Sequence, residues 1–462
     1  MATLSQSVSP ETPTRFQAWR NRTATTRTAW LYLLPAFLVM GIITFYPLIY
    51  QIWMSTTDYG IKNLRFDAAP PNSVGLQNYA QIATGKLPVA ISNFSFWNVL
   101  GFNLVWTFTN VPFHVVIGVL IGIAVSEQPS SAQSLNFSLF ERYLESFRVE
   151  AGIPGMSAAI VQNGTVVWER GLGRRDLEGA IGATPDTPYV IGALSQTIGT
   201  TLVLRKCMDQ SYAEVTDRVV RWTPSYPEPF TTLLQLMSHT APSGAFHHDA
   251  VRLSALTGVV EECGDQKYSQ LLASEIFDRL AMLDSVPGQT LATPTADDVD
   301  LFGLARLTQY AAVLRRVAVP YRVISRRATR NTDLVPRQLD VAHGIVTSVR
   351  DLARFDSALD AGLLLEPATR IQAWTQAYSG PTPLPTGLGW FVQNYNNEPI
   401  VWQFGLVENA YSSLILKVPN RGLTLILLAN SDGLSAPFAL EAGDVTTSIF
   451  ARTFLRTFLP SP

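Results

Sequence analysis

Residues 189–201 read YVIGALSQTIGTT, an apolar run that opens a helix near Ala193. Positions i and i+3 of a helix share one face, so residues 193 and 196 can act on the same group. Here they are Ala193 and Gln196. An alanine methyl cannot attack a carbonyl, and a neutral amide cannot take up the proton that such an attack releases. Ser195 points roughly 200° away from residue 193, at about 100° per residue. Thr197 returns to the right face a full turn deeper, with no lysine beside it. Ser195 and Thr197 are the possible substitutes for a nucleophile here, and poor ones.

Strand-like segments lie well before and well after this helix. IPGMSAAIVQNGTVVWERGLG (153–173) carries Asn163–Gly164 between two apolar runs, a hairpin signal. Near the other end, AYSSLILKVP (410–419) and LTLILLANSDG (423–433) flank a turn at 420–422, and a helical tail follows near 436–458. Before the first strand, FSLFERYLESFRVEAG (137–152) places Phe137, Phe140, Leu144 and Phe147 at helical spacing. The stretch from about 195 to 355 is mostly helical in pattern. The predicted fold is α+β: a sheet built from both ends of this section, with an inserted helical lobe.

The rest of the chain has a different composition. Residues 28–57 and 87–126 contain no Asp, Glu, Lys or Arg, and each exceeds the roughly 20 residues that a membrane helix needs. Arg15, Arg20, Arg22 and Arg27 precede the first stretch and favour a cytoplasmic N-terminus. Lys62, Arg65 and Lys86 between the stretches weaken that bias. The expected layout is a flexible cytoplasmic tail (1–27), a two-helix membrane segment (28–126), a polar linker (127–136) and a section from 137 to 462. The expected location is a bacterial inner membrane, crossed twice, with the lipid bilayer as a partner. A net charge of −2 gives no reason to propose nucleic acid. Cys207 and Cys263 show no metal-binding spacing. They are expected as two buried thiols, a single disulfide being the alternative.

The last section resembles the serine β-lactamase and penicillin-binding-protein class of hydrolases. Besides YVIGALSQ, the likeness rests on LLQLMSHTAPSG (233–244), SEIFDRLAMLDSVPG (274–288), VAHGIVTSVRDLARF (341–355), GLGW (387–390) and LILLANSDG (425–433). It implies a β-lactamase-like antiparallel sheet flanked by helices. It also implies a Ser-x-x-Lys at the helix start, a Tyr-x-Asn on a loop, and a Lys/His-x-Gly on a strand. Here the first is Ala193-x-x-Gln196, the second falls at His248 and Ala250, and the third at Gln403 and Gly405. His239 and His343 fall at structural positions near the cleft. His247, His248 and Asp249 are adjacent in sequence and unsuited to converge on one metal ion. No cofactor or metal is implied.

The N-terminal section is similar to the start of sugar ABC transporter permeases of the maltose-permease type. SVGLQNYAQI (73–82) and FWNVLGFNLVWTFTNVPFHVVIGVLIGIAV (96–125) carry the likeness, which stops near residue 126. The expected function is a non-catalytic ligand-binding or scaffold domain with a small molecule or peptide in its cleft. The alternatives are an esterase- or peptidase-type hydrolase using displaced residues, a permease component associating with transporter subunits, and a fusion artefact.

Overall fold

A computed structural model of the chain describes residues 45–60, 63, 69–84, 96–125 and 131–459. It forms two compact units, 1–128 and 129–462.

In the first unit, Gln77–Thr84 is helix α1 and Phe96–Val125 is helix α2. Trp97, Phe102, Val105, Trp106 and Phe108 of α2 are exposed. Most α2 side chains beyond residue 110 lie outside the described residues, as does most of the first expected span, 28–57. Among the described residues no helix is long and apolar enough to cross a membrane. The two expected transmembrane helices are thus not borne out by the described residues.

The second unit begins with α3 (Ser131–Glu150), which starts inside the stretch expected as linker. SAQS lacks apolar periodicity, and the signal emerges only at Phe137. Three strands follow: β1 (Gly155–Gln162), β2 (Thr165–Asp176) and the short β3 (Ile181–Gly182). Asn163 and Gly164 both take left-handed backbone conformations at the β1–β2 turn, as a two-residue hairpin requires. The helical lobe includes α4 (Ser195–Val203), α5 (Leu256–Gly264), α6 (Ala296–Leu314) and α7 (Val349–Asp360). The chain then returns through β4 (Phe391–Tyr395), β5 (Glu398–Val407), β6 (Tyr411–Val418) and β7 (Leu423–Ala429), and ends in α8 (Ile449–Phe458).

The sheet runs β4-β5-β6-β7-β1-β2-β3, with every neighbouring pair antiparallel. Its centre is the β1–β7 pair, Met156 opposite Ala429, so the two ends of the unit close the sheet. Successive strand residues alternate between faces. Val401, Ile415, Ile426 and Ala159 join the core shared with the helical lobe. Trp402, Leu414, Leu427 and Ala158 join the core under α3 and α8. Burial on both faces explains why β6 and β7 read as unbroken apolar runs.

Cys207 and Cys263 are joined as a disulfide, their Cα atoms 5.4 Å apart. This corrects the expectation of two thiols. At a sequence separation of 56, only the packing of α5 onto the segment after α4 brings them together.

Candidate functional site

Ala193 sits in a short turn, Gly192–Leu194, that runs straight into α4. Gly192 has φ +57°, and a Cβ there would stand 3.0 Å from the Leu406 nitrogen. The helix entry is therefore pressed against β5, and the glycine permits it. A cavity of about 450 Å³ opens beside it, lined in part by Gly192, Ala193, His248, Ala250, Phe404 and Leu406. Glu408, Glu441 and Arg337 are exposed residues of its wall.

Ala193, His248 and Ala250 thus come together as the sequence pattern suggests. Gln403 and Gly405 do not line the cavity, whereas Phe404, Leu406 and Val407 of the same strand do. Gln403 is 1% exposed, and its Oε1 accepts the Phe404 N–H at 2.8 Å. Gln196 is fully buried, with no hydrogen-bond partner for either amide atom among the described residues. Next to the helix entry the cavity is lined by Ala193, Phe404 and Leu406, none of them charged.

The substitutes fare no better. Ser195 is 0% exposed, and its Oγ accepts the Ile345 N–H at 3.3 Å. Thr197 is buried and donates its hydroxyl to the Leu194 carbonyl at 2.9 Å. Neither hydroxyl is presented to the cavity.

His248 stacks among aromatic rings, with centroids 5.3 Å from Phe404, 5.5 Å from Phe391 and 4.8 Å from His239. Among the described residues its Nε2 has no hydrogen-bond partner. His239 Nδ1 accepts the Asp249 N–H at 3.2 Å, and Asp249 pairs with Arg252 at 3.1 Å. His343 lines the cavity and meets Asp340 at 3.3 Å through Nδ1.

Burial is the main cause that pushes His239 down to about 3 and His248 to about 4. Both are neutral at pH 7. The unfolded chain binds these protons first, near pH 6.5, so the stability they allow is present above that pH and is lost as pH falls toward 4. Between pH 7 and 5 each costs about 2 kcal/mol. Asp351, pushed up to about 6 mainly by burial, acts oppositely and regains about 1.3 kcal/mol over the same interval. Urea midpoints should therefore report a net loss of about 2–3 kcal/mol from pH 7 to pH 5. A flat profile would contradict the buried, neutral state of the pair.

An antiparallel sheet closed by both ends of its unit, with a helical lobe inserted and a cleft at the entry of α4, defines the β-lactamase-like class. A family model described as Beta-lactamase matches residues 140–445, and the chain belongs to this family. It is 23% identical over 329 residues to Protein flp of Staphylococcus aureus, covering 63% of this chain and 62% of that protein. It is also 23% identical over 303 residues to the putative penicillin-binding protein PbpX of Bacillus subtilis, covering 62% of this chain and 72% of that protein. Among solved structures, an octameric penicillin-binding protein homologue from Pyrococcus abyssi aligns with TM-score 0.52 at 18% identity, covering 64% of this chain and 74% of that one. D-amino acid amidase from Ochrobactrum anthropi aligns with TM-score 0.53 at 15% identity, covering 69% and 98%. At these identities the structural likeness speaks to fold alone.

Proposed function

We propose that the unit of residues 129–462 is a ligand-binding member of the β-lactamase family that does not turn its ligand over. The observation that carries this reading is Ala193 on the cavity wall, with Gln196 one turn behind it. Acyl transfer needs a nucleophile and a group to accept its proton, and these positions offer a methyl and an amide. The cavity retains a size suited to a small molecule or a short peptide segment. His248 supplies an unpaired ring nitrogen, and Phe404 and Leu406 an apolar surface.

The rival reading, hydrolysis through Ser195, is disfavoured by the burial of that side chain. Turnover of a chromogenic ester or lactam decides between them. The rate should equal the uncatalysed background and stay there in Ser195→Ala. A rate above background that vanishes in Ser195→Ala would favour the hydrolase.

We further propose that this unit faces an oxidising compartment, with the apolar N-terminal section as its membrane attachment. The Cys207–Cys263 bridge supports the first part, because cytosolic thiols are kept reduced. The exposed aromatic residues of α2 support the second. An N-terminus inside and two crossings would return the unit to the cytoplasm, so this reading requires a single crossing or an N-terminus outside. Protein from the native membrane should take up no thiol-reactive polyethylene glycol before reduction and two equivalents after it. Uptake before reduction would point to the reducing side.

A further inference from the structure

A two-stranded hairpin, Tyr321–Ile324 with Arg327–Arg330, stands apart from the main sheet. Its sequence, YRVISRRATR, holds four arginines and no acid. The register pairs Arg322 with Thr329 and Ile324 with Arg327, so these four side chains share one face. All four are exposed, and Ile324 is 66% exposed. Tyr321, Val323 and Ala328 turn the other way and are buried or half-buried.

The turn residues Ser325 and Arg326 both take left-handed conformations, and the Arg326 side chain is exposed. Gly152 packs against the Arg326 backbone and the Val323 side chain, holding the turn end of the hairpin against the rest of the unit. Among the described residues no carboxylate pairs with Arg322, Arg327 or Arg330, and Arg326 meets Glu150 only at 3.5 Å in an exposed contact. Such a contact contributes little. Glu178 accepts from Tyr321 on the opposite face and does not neutralise the outer one.

An exposed β-branched apolar residue set among arginines matches a surface that carries anionic groups over an apolar layer. We propose that the outer face of this hairpin docks on an anionic lipid surface. Ile324 enters the headgroup region, and Arg322, Arg326 and Arg327 meet lipid phosphates. Guanidinium forks suit bidentate phosphate contacts, and each basic group near an anionic leaflet adds attraction that salt screens. This proposal is independent of what the cavity binds and of how the N-terminal section is attached.

The test uses the full chain carrying Ile324→Cys labelled with an environment-sensitive fluorophore, the two native cysteines being joined. Emission should rise and shift to the blue on vesicles of phosphatidylcholine mixed with phosphatidylglycerol. It should not change on phosphatidylcholine alone, and the response should collapse in high salt. The added substitutions Arg322→Gln, Arg326→Gln and Arg327→Gln should weaken the lipid dependence on the order of 100-fold, at about fivefold per arginine, with the thermal midpoint unchanged. An equal response on uncharged vesicles, no response on charged ones, or no effect of the arginine substitutions would overturn the proposal. So would the same response to heparin without lipid, which would assign the face to a soluble polyanion.

Discussion

Lys417→Met is expected to lower the stability of the β-lactamase-like unit by about 3–5 kcal/mol, the usual cost of orphaning one member of a buried ion pair. Lys417 lies on β6 and is 1% exposed. Its Nζ donates to Asp356 of α7, to Asp360 at 2.9 Å and to Thr424 of β7 at 3.2 Å, and stands 5.2 Å from the centre of the Trp374 ring. Asp356 is fully buried. Burial drives its pKa upward, and the lysine cation is the main influence opposing that drive. Without the cation, Asp356 must either stay ionised in an apolar layer beside Asp360 or take up a proton on folding.

Methionine keeps the length of the side chain, so the loss reflects charge more than volume. Lys417→Met combined with Asp356→Leu should recover most of the loss, because an apolar pair replaces an ionic one at little net cost. The urea midpoint with unchanged slope is the measurement. A loss under about 1 kcal/mol in the single variant would show that Asp356 does not depend on Lys417.

Gly405→Ala is the second large effect. A Cβ at 405 would lie 1.9 Å from the Ile191 carbonyl oxygen and 2.4 Å from the Ser413 Oγ. The serine cannot yield freely, because it donates to that same carbonyl at 2.8 Å. The clash is therefore with backbone, and β5 must move away from the turn that carries Ala193. Overpacking costs about 1–3 kcal/mol, and a clash with backbone belongs at the upper end. It should also loosen the cavity, which lies along this contact. Gly182→Ala is the control: nothing lies within 4 Å of its added Cβ, so its thermal midpoint should stay unchanged. A midpoint for Gly405→Ala that matched the control would mean that β5 and the helix entry are not in close contact.

These two positions also show how far the sequence could be read. The fold was legible because its signals are local. Asn163–Gly164 announces a two-residue hairpin, and the apolar runs of β6 and β7 announce strands buried on both faces. Ala193 was legible as a cavity residue because the segment around it resembles a family at one defined helix entry. The third element was harder to read. Gln403 and Phe404 are neighbours in sequence but face opposite sides of a strand, Gln403 toward the helical lobe and Phe404 toward the core under α3 and α8, so a shift of one residue exchanges the two sets. Only the pairing of β5 with β6, Gly405 opposite Ser413, fixes which is which.

Other features depend on contacts between distant residues. The disulfide requires α5 to meet the segment after α4. Lys417 needs Asp356 from a helix 61 residues earlier. Nothing in AYSSLILKVP marks its lysine as buried. In the same way, the basic face of the 321–330 hairpin appears only once its register separates Arg322 and Ile324 from Val323.

We propose that the cleft is built on a hydrolase frame but carries no nucleophile. Intact-mass measurement of the full chain after exposure to a fluorophosphonate and to a fluorescent penicillin tests it most directly. The mass should be unchanged with both probes, in folded protein whose urea midpoint matches that of untreated protein. A stoichiometric adduct mapped to Ser195, Thr197 or any other serine or threonine beside the cavity would contradict it.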